Sequence, residues 1–200
     1  MASNAGYAAE ADRLAVQYES VSFAHVHRHT LHLFPDPPGR VLDIGAGTGR
    51  DAAALAARGH RVVAAEPTAE LRAHGQRLHA DQDIEWLDDA LPELPLLTAR
   101  DERFDLILAS AVWMHLDPAR RRTAMARVTG LLAPGGRLVL SLRHGPVPAG
   151  RRMFEVPAQE VMESAREHGL AVLHHAEDGD SLGRDGIRWS HLCLGRDRAR

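Results

Sequence analysis

Lysine is missing altogether: the chain of 200 residues carries 24 basic side chains, and all of them are arginine. That excludes a P-loop lysine, a Schiff-base lysine and any pyridoxal-phosphate site. Cysteine occurs once, as Cys193, so neither a disulfide framework nor a multi-cysteine zinc site can form within one chain. It lies in the alternating run "WSHLCLG" and reads as a strand residue. No apolar run is long enough to span a bilayer, and no membrane partner is expected. The opening "MASNAGYAAEADRL" lacks the basic-then-apolar pattern of a secretory signal, so a cytoplasmic protein is expected. A net charge of -3 offers no basic stripe, and no nucleic acid is expected as a partner. What is there suits one core-forming domain over residues 1–200, with 44% apolar and 26% charged residues.

Residues 1–34 show apolar positions at helical spacing and read as a cap of one or two helices. "PDPPG" stops them. From Arg40 a strand-helix rhythm runs through residues 40–200. The runs "RVLDIG", "HRVVAAE", "DIEWLD", "RFDLILAS" and "GGRLVLSLR" read as five strands. "RDAAALAARG", "TAELRAHGQRLHA" and "DPARRRTAMARVTGLLA" read as the helices between them, with Thr68 and Asp117 as N-caps and Gly59 as a stop. A further helix, "PAQEVMESAREHG", precedes "LAVLHHAE" and "GIRWSHLCLG". Those last two strands are joined too closely for a parallel crossover and should pair antiparallel. The expectation is an α/β fold with a mostly parallel sheet covered on both faces.

"GAGTG" follows the first strand and opens the first core helix, where open α/β sheets bind nucleotides. Its spacing is G-x-G-x-G, not the G-x-G-x-x-G of nicotinamide enzymes. Asp43 stands just before Gly45, and a carboxylate there repels phosphates yet suits an ammonium. Glu66 ends the second strand, where an acid can accept both hydroxyls of a ribose. In "EWLDDALPEL", Asp88 or Asp89 can accept from an exocyclic amine, with Leu87, Ala90 and Leu91 covering an aromatic ring. Ammonium, ribose and adenine without phosphate suggest S-adenosylmethionine.

In these motifs the chain resembles the class I S-adenosylmethionine-dependent methyltransferases. "VLDIGAGTGR", "VVAAEP", "WLDDAL", "FDLILASAVWMHL" and "LLAPGGRLVLSL" resemble five of that family's motifs in order, over about residues 40–143. The resemblance implies a Rossmann-like, doubly wound sheet of order 3-2-1-4-5-7-6 with strand 7 antiparallel. It implies S-adenosylmethionine as cofactor, S-adenosylhomocysteine as product, and cofactor contacts at Gly45, Ala46, Gly47, Glu66, Pro67, Asp88 and Asp89. Ser110, Ala111 and Val112 at the fourth-strand end join them. Asp43 and Ala90 are added on the chemistry above. Gly49 serves either the ligand or close helix-strand packing. In similar enzymes N-terminal helices cover the cofactor, which points to Tyr18.

His115, just past the fourth strand, stands near the transferred methyl, either as a general base or as a loop hydrogen-bonder. Trp113 lies in the same segment. Arg143, His144, Arg151 and Arg152 make the loop after the fifth strand basic, which suits an anionic small-molecule acceptor as well as a solvated loop. Arg184 and Trp189 can border the same site. His25, His29 and His32 fall on one face of a helix, but no acid follows at ligand spacing, and no metal site is expected. Two other readings compete: a catalytically silent S-adenosylmethionine-binding regulator, and a nicotinamide oxidoreductase, which the glycine spacing and Asp43 disfavour. Oligomeric state is left open.

Overall fold

Val41, Leu42 and Ile44 make both faces of the first strand apolar, so both must be covered. The computed structural model describes residues 6–196, and residues 1–5 of the expected cap lie outside them. Strand β1 (Arg40–Ile44) lies inside a seven-stranded sheet. The others are β2 (Arg61–Ala65), β3 (Ile84–Leu87), β4 (Phe104–Ser110), β5 (Leu132–His144), β6 (Leu170–Gly179) and β7 (Arg188–Arg196). Their order is β3-β2-β1-β4-β5-β7-β6, and β7 runs antiparallel to both β5 and β6. The sheet is the one the motifs imply.

Residues 8–33 form the cap: α1 (Ala11–Glu19) and α2 (Phe23–Val26), flanked by 3-10 turns at Ala8–Glu10 and Leu31–Leu33. The core helices are α3 (Arg50–Ala56), α4 (Ala69–Leu78), α5 (Pro95–Thr98), α6 (Pro118–Leu131) and α7 (Ala158–Glu167). Alternate strand residues feed two cores. Val41, Leu106, Leu108 and Val139 pack with Leu55 of α3 and Phe23 of the cap. Leu42, Ile107 and Leu140 pack on the other face with Met125 of α6 and Val161 of α7. Cys193 is fully buried in β7, where burial pushes its thiol up to about 11. Among the described residues, no helix is long and apolar enough to cross a membrane.

Asp117 caps α6 as expected, its carboxylate accepting from Arg120 N–H at 2.9 Å. Thr68 holds the N-cap place of α4 with an extended backbone, but its N–H goes to Glu66 Oε1 at 2.8 Å. The short α5, within "LPELPLLT", carried no periodic signal. Strand β5 begins at Leu132 rather than Gly135, because the Pro134-Gly135-Gly136 turn bulges between Leu132 and Arg137 while both stay paired to β4. The histidine helix is corrected: α2 ends at Val26, so His25, His29 and His32 do not share one helical face.

Candidate active site

Strand β1 turns into α3 within five residues, and this is possible only with glycine. Gly45 and Gly47 have left-handed backbones, with φ of +67° and +59°. Gly45 and Ala46 both donate to the Ala65 carbonyl, at 2.7 and 3.2 Å, which seats the loop on the end of β2. A Cβ on Gly45 would lie 2.5 Å from Val112 Cγ2, and one on Gly47 would meet the Tyr18 ring at 3.4 Å. Thr48 Oγ1 donates to Glu19 Oε1 at 2.6 Å, so the cap is hydrogen-bonded to the glycine loop.

A cavity of about 750 Å³ opens at the C-terminal ends of the strands, with the cap as its roof. Its glycine-loop end is acidic. Asp43, Glu66 and Asp89 are only 2%, 5% and 3% exposed. Each is tied to main-chain N–H groups. Asp43 accepts from Ala52. Glu66 accepts from Gly47 and Thr68, both at 2.8 Å, and Asp89 from Ala90 and Leu97 at 3.0 and 2.9 Å. Burial, then the neighbouring Asp51, holds the Asp43 carboxyl well above the usual range. Burial also raises Glu66, against its hydrogen bonds to Thr68 and Gly47. Asp51 is different: burial raises it, but His27, with Nε2 2.9 Å from Oδ2, and Arg50 outweigh that and hold it low. Buried carboxylates of this kind require a cation or hydroxyl donors and repel phosphate. The donor set therefore fits an ammonium and a ribose at Asp43 and Glu66.

The other end is basic and centres on a residue absent from the expectations. Tyr7 Oη lies 2.9 Å from His115 Nε2, and His115 Nδ1 lies 2.9 Å from the Arg152 carbonyl. A carbonyl only accepts, so Nδ1 carries the proton and Nε2 accepts from the Tyr7 hydroxyl. Burial lowers His115, which keeps it neutral, and burial raises Tyr7, which keeps it a phenol. Arg151 stacks on the Tyr7 ring, its Cζ 3.6 Å from the centroid, and its Nη2 reaches Glu10 at 3.2 Å. Nη1 of Arg151 and Nε of Arg143 are buried without a hydrogen-bond partner. Burial, then Arg184, lowers Arg143. Arg184 itself is clamped on Asp180, with Nε–Oδ2 2.9 Å and Nη2–Oδ1 2.6 Å, and Trp189 Nε1 donates to the same carboxylate at 3.0 Å.

The structure brings most of the expected residues to this cavity. Asp43, Gly45, Ala46 and Gly47 line it, as do Glu66, Pro67, Asp89 and Ala90. So do Tyr18, Ser110, Ala111, Val112, His115, Arg143 and Arg151. Four expected residues stand elsewhere. Past the end of β3 the Asp88 side chain is 66% exposed and pairs with Arg72 at 3.1 Å, while Asp89 turns in to the Leu97 N–H. Gly49 faces Trp86, where a Cβ would lie 2.6 Å from the indole, so helix-strand packing occupies it. Trp113 is buried in the core, and Arg152 turns its guanidinium over Phe154 at 5.0 Å. Tyr7, Asp51 and Asp180 line the cavity without having been foreseen. Tyr7 shows no signal beyond being one of two tyrosines in the chain.

A 3-2-1-4-5-7-6 sheet, with a glycine turn after β1 and buried acids after β2 and β3, defines the class I methyltransferase fold. Residues 41–136 match the family model of the methyltransferase domain. An uncharacterised methyltransferase of Mycobacterium tuberculosis is 41% identical over 108 residues, which cover 54% of this chain and 41% of that protein. A demethylmenaquinone methyltransferase of Clavibacter sepedonicus is 34% identical over 128 residues, covering 62% of this chain and 50% of that one. The chain spans about half the length of these curated relatives. Among solved structures, the 1,6-didemethyltoxoflavin-N1-methyltransferase of Burkholderia thailandensis, with bound 1,6-didemethyltoxoflavin and S-adenosylhomocysteine, superposes with a TM-score of 0.70. It covers 93% of this chain and 83% of its own at 23% identity, which is a likeness of fold.

Proposed function

We propose that this chain is an S-adenosylmethionine-dependent methyltransferase whose acceptor is a small molecule bearing an anionic group. The observation that carries this reading is one cavity with buried acids at the glycine-loop end and unpaired arginine nitrogens at the other. In it, residues 1–200 act as one domain in the cytoplasm, with neither nucleic acid nor membrane as partner. Asp43 takes the cofactor's ammonium, Glu66 its ribose hydroxyls, and Asp89 its adenine side. When bound, the cofactor supplies an electrophilic methyl group on a sulfonium.

The protein's own work is to align the acceptor, exclude water and move one proton. Arg143 and Arg151, which line that end of the cavity, hold the acceptor's anion by charge. For an acceptor that loses a proton on methylation, Tyr7 Oη takes that proton while passing its own to His115 Nε2. The imidazolium so formed stays hydrogen-bonded to the Arg152 carbonyl. In this reading His115 acts on the acceptor through Tyr7, whose hydroxyl lies 2.9 Å from its Nε2.

Calorimetry tests the reading: S-adenosylmethionine and S-adenosylhomocysteine should both bind more tightly than NAD. Tighter binding of NAD would remove it. Turnover in a screen of small carboxylates, phenols and amines would then separate an enzyme from a silent regulator.

A further inference from the structure

The histidine-rich stretch of the cap does not belong to the relay, yet it meets the sheet at a defined place. In the β6-β7 pairing, Ala176 stands opposite His191, His174 opposite Cys193 and Asp178 opposite Trp189. His174 and Asp178 therefore flank His191 diagonally on one face of the sheet. The cap lays His29 over them. His29 Nε2 is 2.8 Å from Asp178 Oδ2, and the rings of His29 and His191 lie 5.1 Å apart, tilted by 40°. One donor atom from each of His29, Asp178 and His191 falls within 4.8 Å of the others. His174, beside them, buries an Nε2 that has no partner. Its imidazole stands edge-on to His32 at 5.7 Å.

We propose that His29, Asp178 and His191 form a site for a divalent transition-metal ion of the zinc type, which fastens the cap to the outer strands. Two imidazoles and one carboxylate are a donor set for zinc, whereas magnesium and calcium take oxygen ligands. Zinc-nitrogen bonds of about 2.0 Å place tetrahedral donors about 3.3 Å apart. Rotation of the partly exposed His29 side chain closes the remaining gap. One ligand comes from the cap and two from the sheet, 149 or more residues away, so the ion would act as a clamp. Arg28 opposes it, since its guanidinium contacts the same Asp178 oxygen and carries like charge. The site takes no part in the Tyr7-His115 relay, although His191 also lines the edge of the cavity.

The test is calorimetry and thermal unfolding of the full chain after chelator treatment, with Zn²⁺ alone and Mg²⁺ as the control. One equivalent of Zn²⁺ should bind and raise the melting midpoint, and Mg²⁺ should do neither. Asp178→Asn and His29→Gln should each weaken binding about 10–100-fold, and both positions are exposed enough to fold without their partner. Arg28→Ala should tighten it. No zinc binding, or binding left unchanged by both Asp178→Asn and His29→Gln, would overturn the proposal, as would a weaker site in Arg28→Ala.

Discussion

The two ends of the cavity are built in opposite ways. At the glycine-loop end, Asp43, Glu66 and Asp89 each accept from fixed main-chain N–H groups before any ligand arrives. At the far end, Arg143 and Arg151 keep nitrogens with no partner, and the Tyr7-His115 pair joins the cap to the segment after β4. One end is preorganised by the backbone and suits a ligand that never varies. The other is left incomplete and suits a ligand that completes it.

The sharpest way to break this contrast is to remove the proton path alone. Tyr7→Phe and His115→Asn should each lower kcat by about 10²–10⁴ with cofactor affinity unchanged, and the double variant should be no worse than the singles. Because burial lowers His115 and the relay needs it neutral, activity should persist as pH falls and then fail. The midpoint should lie below the ordinary histidine value of about 6.5. Effects that add in the double variant, or an acid limb centred above that value, would take His115 out of the path.

Next in size is the preorganised end. Glu66→Ala removes two charge-assisted hydrogen bonds to the ribose and should cost about 2–4 kcal/mol of cofactor affinity, measured by calorimetry. Unaltered affinity would mean that the ribose lies elsewhere. On the incomplete end, Arg143→Met should raise KM for an anionic acceptor by about 10–100-fold and leave kcat near normal. An equal rise for an uncharged analogue would point to packing instead of charge.

The smallest effect concerns Asp43. Its carboxyl is held high by burial, so ionising it costs more in the folded state than in the unfolded chain. That cost grows as pH climbs through the raised pKa. Asp43→Asn should therefore stabilise the free protein by about 1–2 kcal/mol, more at pH 8 than at pH 5, while weakening the cofactor. A midpoint that drops at pH 8 would show that the carboxylate is stabilising as it stands.

The same contrast explains what could be read from the sequence. The acidic end consists of short segments at the tips of consecutive parallel strands, so Asp43, Glu66 and the "LDDAL" turn could be placed by counting from an apolar run. The choice between Asp88 and Asp89 could not, because both lie past the end of β3 and the inward one is held by the Leu97 N–H, eight residues on. The basic end joins Tyr7 to His115 across 108 residues, and Arg151 to Glu10 across 141. No local pattern encodes such meetings. Arg152 and Arg151 are neighbours in sequence, yet one stacks on Phe154 and the other on Tyr7, so a basic cluster did not say which arginine turns inward.

Cys193 lies in β7, with β5 on one side and β6 on the other, and none of its surface reaches solvent. It is the only thiol in the chain. A disulfide reagent can therefore react only with molecules in which the layer over its face of the sheet has opened, and only after the sulfur has regained an ordinary acidity. The rate of labelling is then a clock for uncovering of the sheet's cap-side face at β7, readable in the unaltered protein without an engineered probe.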